Sequence, residues 1–293
     1  MILSRLEPNG GYDENFRSMK SLRAALTGEL LGTFLLVFFG CGSVAAAVTT
    51  SAQVGVFQVA IVWGLGIAIA IHCTAALSGA HLNPAVTLAL AAWREFPKSR
   101  VLPYVGAQMV GAFVAAAVLH GVFANAIIAY ESAQGIARGS VGSESTAMIF
   151  GEFFPNPGGR PLEHAAMAMP LGRAVLAEIV GTAVLVIVIF SVTDRRNAEA
   201  PQILTAGYIG LTVTLLISLL GPLTMACFNP ARDLAPRLYS SLAGWGAVPF
   251  NANGPYGWWV VYLLAPLVGG QLGAAVHRLL LSPAWEEGRQ GTD

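Results

Sequence analysis

Two tripeptides carry the first chemical signal in this chain: Asn83-Pro84-Ala85 and Asn229-Pro230-Ala231. Asn is a preferred helix cap, and Pro in the first helical turn gives up no backbone donor that the helix would use. Each copy opens a short apolar run. Two such starts aimed at one spot would bring two positive helix ends and two amide side chains together. That chemistry suits a neutral hydroxyl or a water oxygen and repels cations and hydronium. A single Asn-Pro can simply begin a turn; two copies in matched places favour the paired site.

Other polar residues in apolar surroundings extend the pattern. Arg232 follows the second tripeptide directly. An arginine inside a membrane is costly and reads as functional, and its planar fork can hold two oxygens of a passing molecule. An ion pair with its neighbour Asp233 is the structural alternative, and the two roles are compatible if Asp233 turns away from the pore. Glu29 and Glu178 stand at equivalent places in two apolar spans. A proton relay is one reading; the favoured one has each carboxylate accept hydrogen bonds from the re-entrant segment of its own half. His81 lacks partner ligands for a metal. The non-helical approach Gly79-Ala80-His81-Leu82 can instead expose backbone carbonyls to a pore as a ladder of acceptors.

These residues need a frame, and the composition says which kind. Of 293 residues, 55% are hydrophobic and 11% charged, where a soluble domain carries about 25% charged residues. The formal net charge is zero, so no nucleic-acid partner is implied. Cys41, Cys73 and Cys227 are too few and too scattered for a disulfide framework or a metal site. No cofactor is called for. Six stretches, near 22–48, 56–78, 101–123, 172–193, 203–221 and 257–281, are long and apolar enough to span a bilayer. The polar start of the chain does not resemble a cleavable signal, so the first stretch is expected to remain as a membrane helix. Residues 83–92 and 229–240 are too short: about ten residues at about 1.5 Å each reach half-way across. They must lie inside protein or line a cavity. Gly32, Gly64, Gly66, Gly106, Gly111, Gly181, Gly269 and Gly273 are read as close helix contacts.

The halves repeat. Glu29-Leu30-Leu31-Gly32-Thr33 parallels Glu178-Ile179-Val180-Gly181-Thr182, and Val110-Gly111-Ala112 parallels Val268-Gly269-Gly270. Three spans per half invert the second copy relative to the first, which places a site near the midplane. The expectation is one channel domain over 1–293, with repeats at about 22–123 and 172–281 and an extracellular connection at about 124–170 packed over the outer vestibule. Arg5, Arg17, Lys20, Arg23, Arg94, Lys98, Arg100, Arg195, Arg196 and Arg278 fall on one side. By the positive-inside rule both termini are cytoplasmic.

The run Ser78-Gly79-Ala80-His81-Leu82-Asn83-Pro84-Ala85-Val86-Thr87 resembles the signature of the aquaporins, the major intrinsic proteins, and the resemblance extends over nearly the whole chain. Gly221-Pro222-Leu223-Thr224, together with Asp233, Arg237, Pro266 and Leu267, resembles the glycerol-facilitator branch. The resemblance implies an all-α membrane fold of six spans and two re-entrant half-helices, and a homotetramer with one pore per subunit in the cell membrane. It implies passive conduction of small neutral solutes. It also places the narrowest point at Trp63, Ile217, Ala226 and Arg232, where a polyol would lay its carbon side on the aromatic face and its hydroxyls on the guanidinium. Trp63 and Arg232 match the glycerol branch. Ile217 and Ala226 depart from its usual Gly and Phe, and the set resembles the nodulin-26-like plant channels. By the same transfer, the acceptor ladder comes from Gly79, Ala80 and His81 in one half and Met225, Ala226 and Cys227 in the other.

A passive channel for glycerol is thus expected, with water, urea and neutral metalloid hydroxides as open alternatives. An ion-coupled transporter would also use inverted repeats, but it needs an ionisable group at the midplane, where this chain offers two asparagines. A membrane enzyme would need a nucleophile–base pair or a metal cluster, and neither is visible.

Overall fold

The structure, a computed structural model, describes residues 21–164, 168–197, 199–201 and 203–290. Arg5, Arg17 and Lys20 lie outside the described residues. Six helices are long and apolar enough to cross a membrane, and two short ones stand between them. In chain order they are α1 (Leu22–Thr50), α2 (Val56–Ser78), α3 (Pro84–Trp93), α4 (Val101–Gln134), α5 (Leu171–Val192), α6 (Thr205–Thr224), α7 (Pro230–Ser240) and α8 (Gly254–Glu287). The last contains two π-type turns, Val260–Leu264 and His277–Leu281. Among the described residues there is no strand.

The packing follows the repeat. α1 lies against α2 and α4, α5 lies against α6 and α8, and α2 meets α6 between the halves. The half-helices cross over: α3 packs on α8 of the second half, and α7 on α4 of the first. Close approach explains most of the glycines. A Cβ on Gly111 would lie 2.2 Å from the Leu30 carbonyl oxygen, and one on its counterpart Gly269 would lie 2.4 Å from that of Ile179. Gly106 differs from this expectation, because its Cβ direction is open and no neighbour requires a glycine there.

The third span also differs from its expected limits. Hydropathy fades after residue 123, yet α4 runs to Gln134, 34 residues in all. At about 1.5 Å per residue it is longer than the roughly 30 Å hydrocarbon core. Hydropathy marks where a helix leaves lipid, whereas a stop needs its own signal. Here that signal is Gly135, in the left-handed region at φ 65°. The outer connection therefore begins as helix. Beyond it, residues 143–154 are buried without a break. Glu131 at the end of α4 accepts from Arg138 Nη2 at 2.7 Å and from Thr146 Oγ1 at 2.9 Å, which ties the connection to the bundle.

Candidate conduction pathway

The two re-entrant approaches share one backbone conformation. Gly79, Ala80 and Leu82 have positive φ, and so do Met225, Ala226 and Phe228, at matching places. Five of these six are not glycine, and left-handed backbone costs such residues of order 1 kcal/mol or more each. The cost persists because the next residues are firmly held. Glu29, fully buried, accepts from His81 N at 2.9 Å, Leu82 N at 2.8 Å and Gln108 Nε2 at 2.7 Å. Glu178, also fully buried, accepts from Cys227 N at 3.0 Å, Phe228 N at 2.8 Å and Thr224 Oγ1 at 2.6 Å. Each carboxylate thus satisfies backbone donors that no helix or sheet could reach. The third span supplies a donor in the first half only, because Pro266 occupies the position in α8 that Gln108 holds in α4. His81 is buried beside Phe96 and Tyr104, and its Nδ1 lies 3.2 Å from Thr87 Oγ1.

Beyond the approaches, each asparagine caps its own half-helix and bonds across to the other. Asn83 Oδ1 accepts from Ala85 N at 2.8 Å, and Asn229 Oδ1 accepts from Ala231 N at 3.1 Å and Arg232 N at 3.2 Å. Asn83 Nδ2 donates to the Phe228 carbonyl and Asn229 Nδ2 to the Leu82 carbonyl, both at 2.8 Å. An amide has two N–H donors, so each keeps one beyond this cross-bond. Both asparagines line a cavity of about 250 Å³.

That cavity gathers many of the residues singled out from sequence: Trp63, Gly79, Ala80, His81, Ile217, Ala226, Cys227 and Arg232 all line it. Met225 does not. It packs into the outer core, where its Sδ accepts from Phe153 N at 3.3 Å. Pro84, Ala85, Pro230 and Ala231 form the first turns of the half-helices behind the lining. Glu29, Glu178, Asp233, Arg237, Pro266 and Leu267 also stand away from the cavity wall.

Arg232 is held from two sides. Its guanidinium forms an ion pair with Glu152, a fully buried carboxylate from the outer connection. It also lies over the Trp63 ring, 4.2 Å from the centroid, in cation–π contact. This departs from the expected arrangement, in which the aromatic face is open to a permeant. Nη1 of Arg232 has no hydrogen-bond partner among the described residues. Asp233 turns away, as one of the two sequence readings required. It accepts from Arg237 Nε at 2.9 Å and Nη2 at 2.8 Å, and from Glu152 N at 2.7 Å. Arg237 donates in turn to the Glu152 and Pro249 carbonyls. The two arginines and two acids make one buried neutral cluster, which fixes Glu152 under Arg232. Sequence reasoning missed Glu152 as the partner. Its signal was an acid inside the apolar run Ile149-Phe150-Gly151-Glu152-Phe153-Phe154, inside a connection otherwise read as a cover.

The opposite end of the cavity is lined by Arg94, Thr193 and Thr205. Arg94 Nη2 donates to the Phe190 carbonyl at 2.7 Å and Nη1 to Thr193 Oγ1 at 3.1 Å. Beside it, Asp194 accepts from Arg196 N at 2.9 Å, Nε at 3.0 Å and Nη2 at 2.8 Å. Burial works against the Asp194 charge, but the Arg196 bonds outweigh it and hold the carboxyl below its usual range.

A search among known proteins agrees with this geometry. The major intrinsic protein family matches residues 15–277. A glycerol uptake facilitator protein of Haemophilus influenzae is 39% identical over 259 residues, 88% of this chain and 94% of that protein. A propanediol uptake facilitator of Salmonella typhimurium is 38% identical over 261 residues, 89% of this chain and 95% of that protein. Among solved structures, the aquaglyceroporin from Plasmodium falciparum superposes with a TM-score of 0.77 at 27% identity, covering 91% of this chain and all of that one. On the inverted halves, the six spans and these matches, the chain belongs to the major intrinsic protein family, as a multi-pass membrane channel.

Proposed function

We propose that this chain is a passive channel for glycerol and related small neutral solutes, conducting water as well and excluding ions and protons. The observation that carries the reading is the Arg232 guanidinium in a cavity wall that is otherwise mostly apolar. A polyol gains a charge-assisted hydrogen bond there, and its carbon side meets the aliphatic wall that Leu36 and Ile217 supply. At the centre, the spare donors of Asn83 and Asn229 and the two converging helix ends favour an oxygen lone pair and oppose a cation. The facilitators of glycerol and of propanediol among the relatives fit a small-polyol channel.

The residues take these roles: Asn83-Pro84-Ala85 and Asn229-Pro230-Ala231 as the pore centre; Trp63, Ile217, Ala226 and Arg232 as the selectivity filter; and Gly79, Ala80, His81, Ala226 and Cys227 as carriers of the acceptor ladder. Glu29 and Glu178 support the re-entrant loops, and Asp233 and Arg237 brace the filter through Glu152. Ile217 and Ala226 favour a wider solute range as a second reading, with urea and neutral metalloid hydroxides added. The molecule is one channel domain with both termini cytoplasmic, a homotetramer in the cell membrane. Proton or ion coupling is disfavoured because the buried carboxylates of Glu29 and Glu178 are already engaged by three donors each.

Reconstitution in liposomes tests the proposal. Volume recovery in a glycerol gradient should be faster than in empty liposomes and unaffected by an imposed proton gradient. Recovery no faster than in empty liposomes refutes the glycerol channel, and dependence on the proton gradient replaces it with a coupled transporter.

A further inference from the structure

Gly40 lies in the middle of α1, where a glycine costs about 1 kcal/mol relative to alanine unless something requires it. The requirement is Trp63. A Cβ on Gly40 would stand 2.2 Å from Cε3, 2.2 Å from Cζ3 and 2.3 Å from Cδ2 of the Trp63 ring. Three consecutive ring atoms at nearly equal distance mean that Gly40 meets the face of the ring and not its edge. Arg232, 4.2 Å from the ring centroid, then covers the opposite face. The ring is a slab between the α1 backbone and a guanidinium that Glu152 anchors.

The slab has no slack on either side. α1 and α2 are tightly packed at this level, since a Cβ on Gly66 in α2 would lie 2.5 Å from Phe39 Cβ of α1. A methyl group at position 40 must therefore move the ring by about 1 Å to reach ordinary van der Waals contact at 3.4 Å. The room for that movement is the cavity, which Trp63 and Arg232 line and Gly40 does not. The other half supports this reading by contrast. At the register of Gly40 and Trp63 it carries Ile189 and Ile209, so a side chain is present where no indole needs a seat.

We infer that Gly40, a residue outside the pore wall, is a positioning residue for the filter: by seating the Trp63 ring against α1 it sets the largest solute that passes Arg232. The inference rests on the neutral-solute channel proposed above.

The test compares glycerol and water permeability of vesicles holding wild-type, Gly40→Ala, Trp63→Phe and the Gly40→Ala/Trp63→Phe double variant. Phe keeps a Cδ2 but lacks the fused ring that carries Cε3 and Cζ3, two of the three atoms that meet Gly40. Gly40→Ala should lower glycerol permeability about tenfold, a barrier change of about 1.4 kcal/mol, and lower water permeability less. The double variant should recover glycerol flux to the Trp63→Phe level. An unchanged glycerol-to-water ratio in Gly40→Ala overturns the inference. If Gly40→Ala does not fold, a double variant that folds and conducts glycerol upholds the inference, and one that also fails to fold overturns it in favour of plain helix packing. Wild-type vesicles no faster than empty ones in glycerol would instead sink the underlying channel reading, and that control is read first.

Discussion

The outer and inner halves of the cavity are built on one register with different contents. In the outer half stand Trp63, Ile217, Ala226 and Arg232; the matching positions of the inner half are Ile209, Ile71, Ala80 and Val86, and all eight line the cavity. Two of the four pairs are identical in type, Ile217 with Ile71 and Ala226 with Ala80. Within this ring of four, the chemical difference lies in Trp63 against Ile209 and Arg232 against Val86. An apolar ring of four thus becomes a polar constriction through two side chains and their supports, Gly40 behind the indole and Glu152 beside the guanidinium. The frame beneath is nearly unchanged, since Glu29 and Glu178 hold both approaches in the same left-handed turns.

That comparison can be broken at several points. The largest effect falls on the shared frame. Glu178→Ala leaves two backbone N–H groups and the Thr224 hydroxyl buried without acceptors, at about 1–3 kcal/mol for each orphaned group. Thermal unfolding in detergent should show loss of the folded protein. Glu29→Ala should be comparably severe. A Glu178→Ala protein with wild-type melting would mean that the carboxylate does not hold the turn.

Next comes an attempt to copy the filter into the inner half. Ile209→Trp alone should block glycerol flux, because Ile189 occupies the place where an indole would rest. Adding Ile189→Gly should restore a measurable part of that flux in the same liposome assay. Equal flux in the single and double variants would show that the recess behind the ring is irrelevant.

Removing the other half of the difference is expected to be milder for solute and sharper for charge. Arg232→Ala makes the outer ring resemble the inner one at Val86. Proton leak under an imposed gradient should rise severalfold, while glycerol still passes. An unchanged leak would assign charge exclusion to the converging helix ends alone.

The smallest effect concerns the inner mouth. The folded-state pKa of Asp194 lies below its ordinary 3.8, so its contribution to stability is present above that value and lost as pH falls through the lower, folded one. Asp194→Asn should flatten the decline in melting temperature below about pH 4 and leave neutral-pH melting only slightly lowered. An identical acid limb in both proteins would remove Asp194 from the account.

Much of this was readable before any coordinates, for a physical reason. Helix starts are local: Asn83 and Asn229 cap the residues that follow them, so the tripeptides carry their own geometry. Glu29 and Glu178 were readable because a carboxylate in an apolar span must find donors, and the repeat says which segment supplies them. What escaped was contact at a distance without periodicity. Glu152 reaches Arg232 from a connection with no helical pattern, and Gln108 reaches Glu29 across the bundle while its counterpart is a proline. The extent of α4 escaped because helix length and membrane thickness are separate quantities. Met225 was assigned to the ladder by transfer from the family it resembles, and it is not among the residues that line the cavity.

The crossed amide bonds at the centre have a consequence for how the molecule is made. Asn83 Nδ2 donates to the carbonyl of Phe228, 145 residues further along the chain. At a synthesis rate of about 5–20 residues per second, the acceptor emerges on the order of 10 s after the donor. During that interval the first three spans hold an unpaired amide in an apolar setting, so the nascent half should stay loosely packed and open to water or to helper proteins until its twin arrives. The cross-bond at the channel centre therefore cannot form before residue 228 has been made, however early the first three spans enter the membrane.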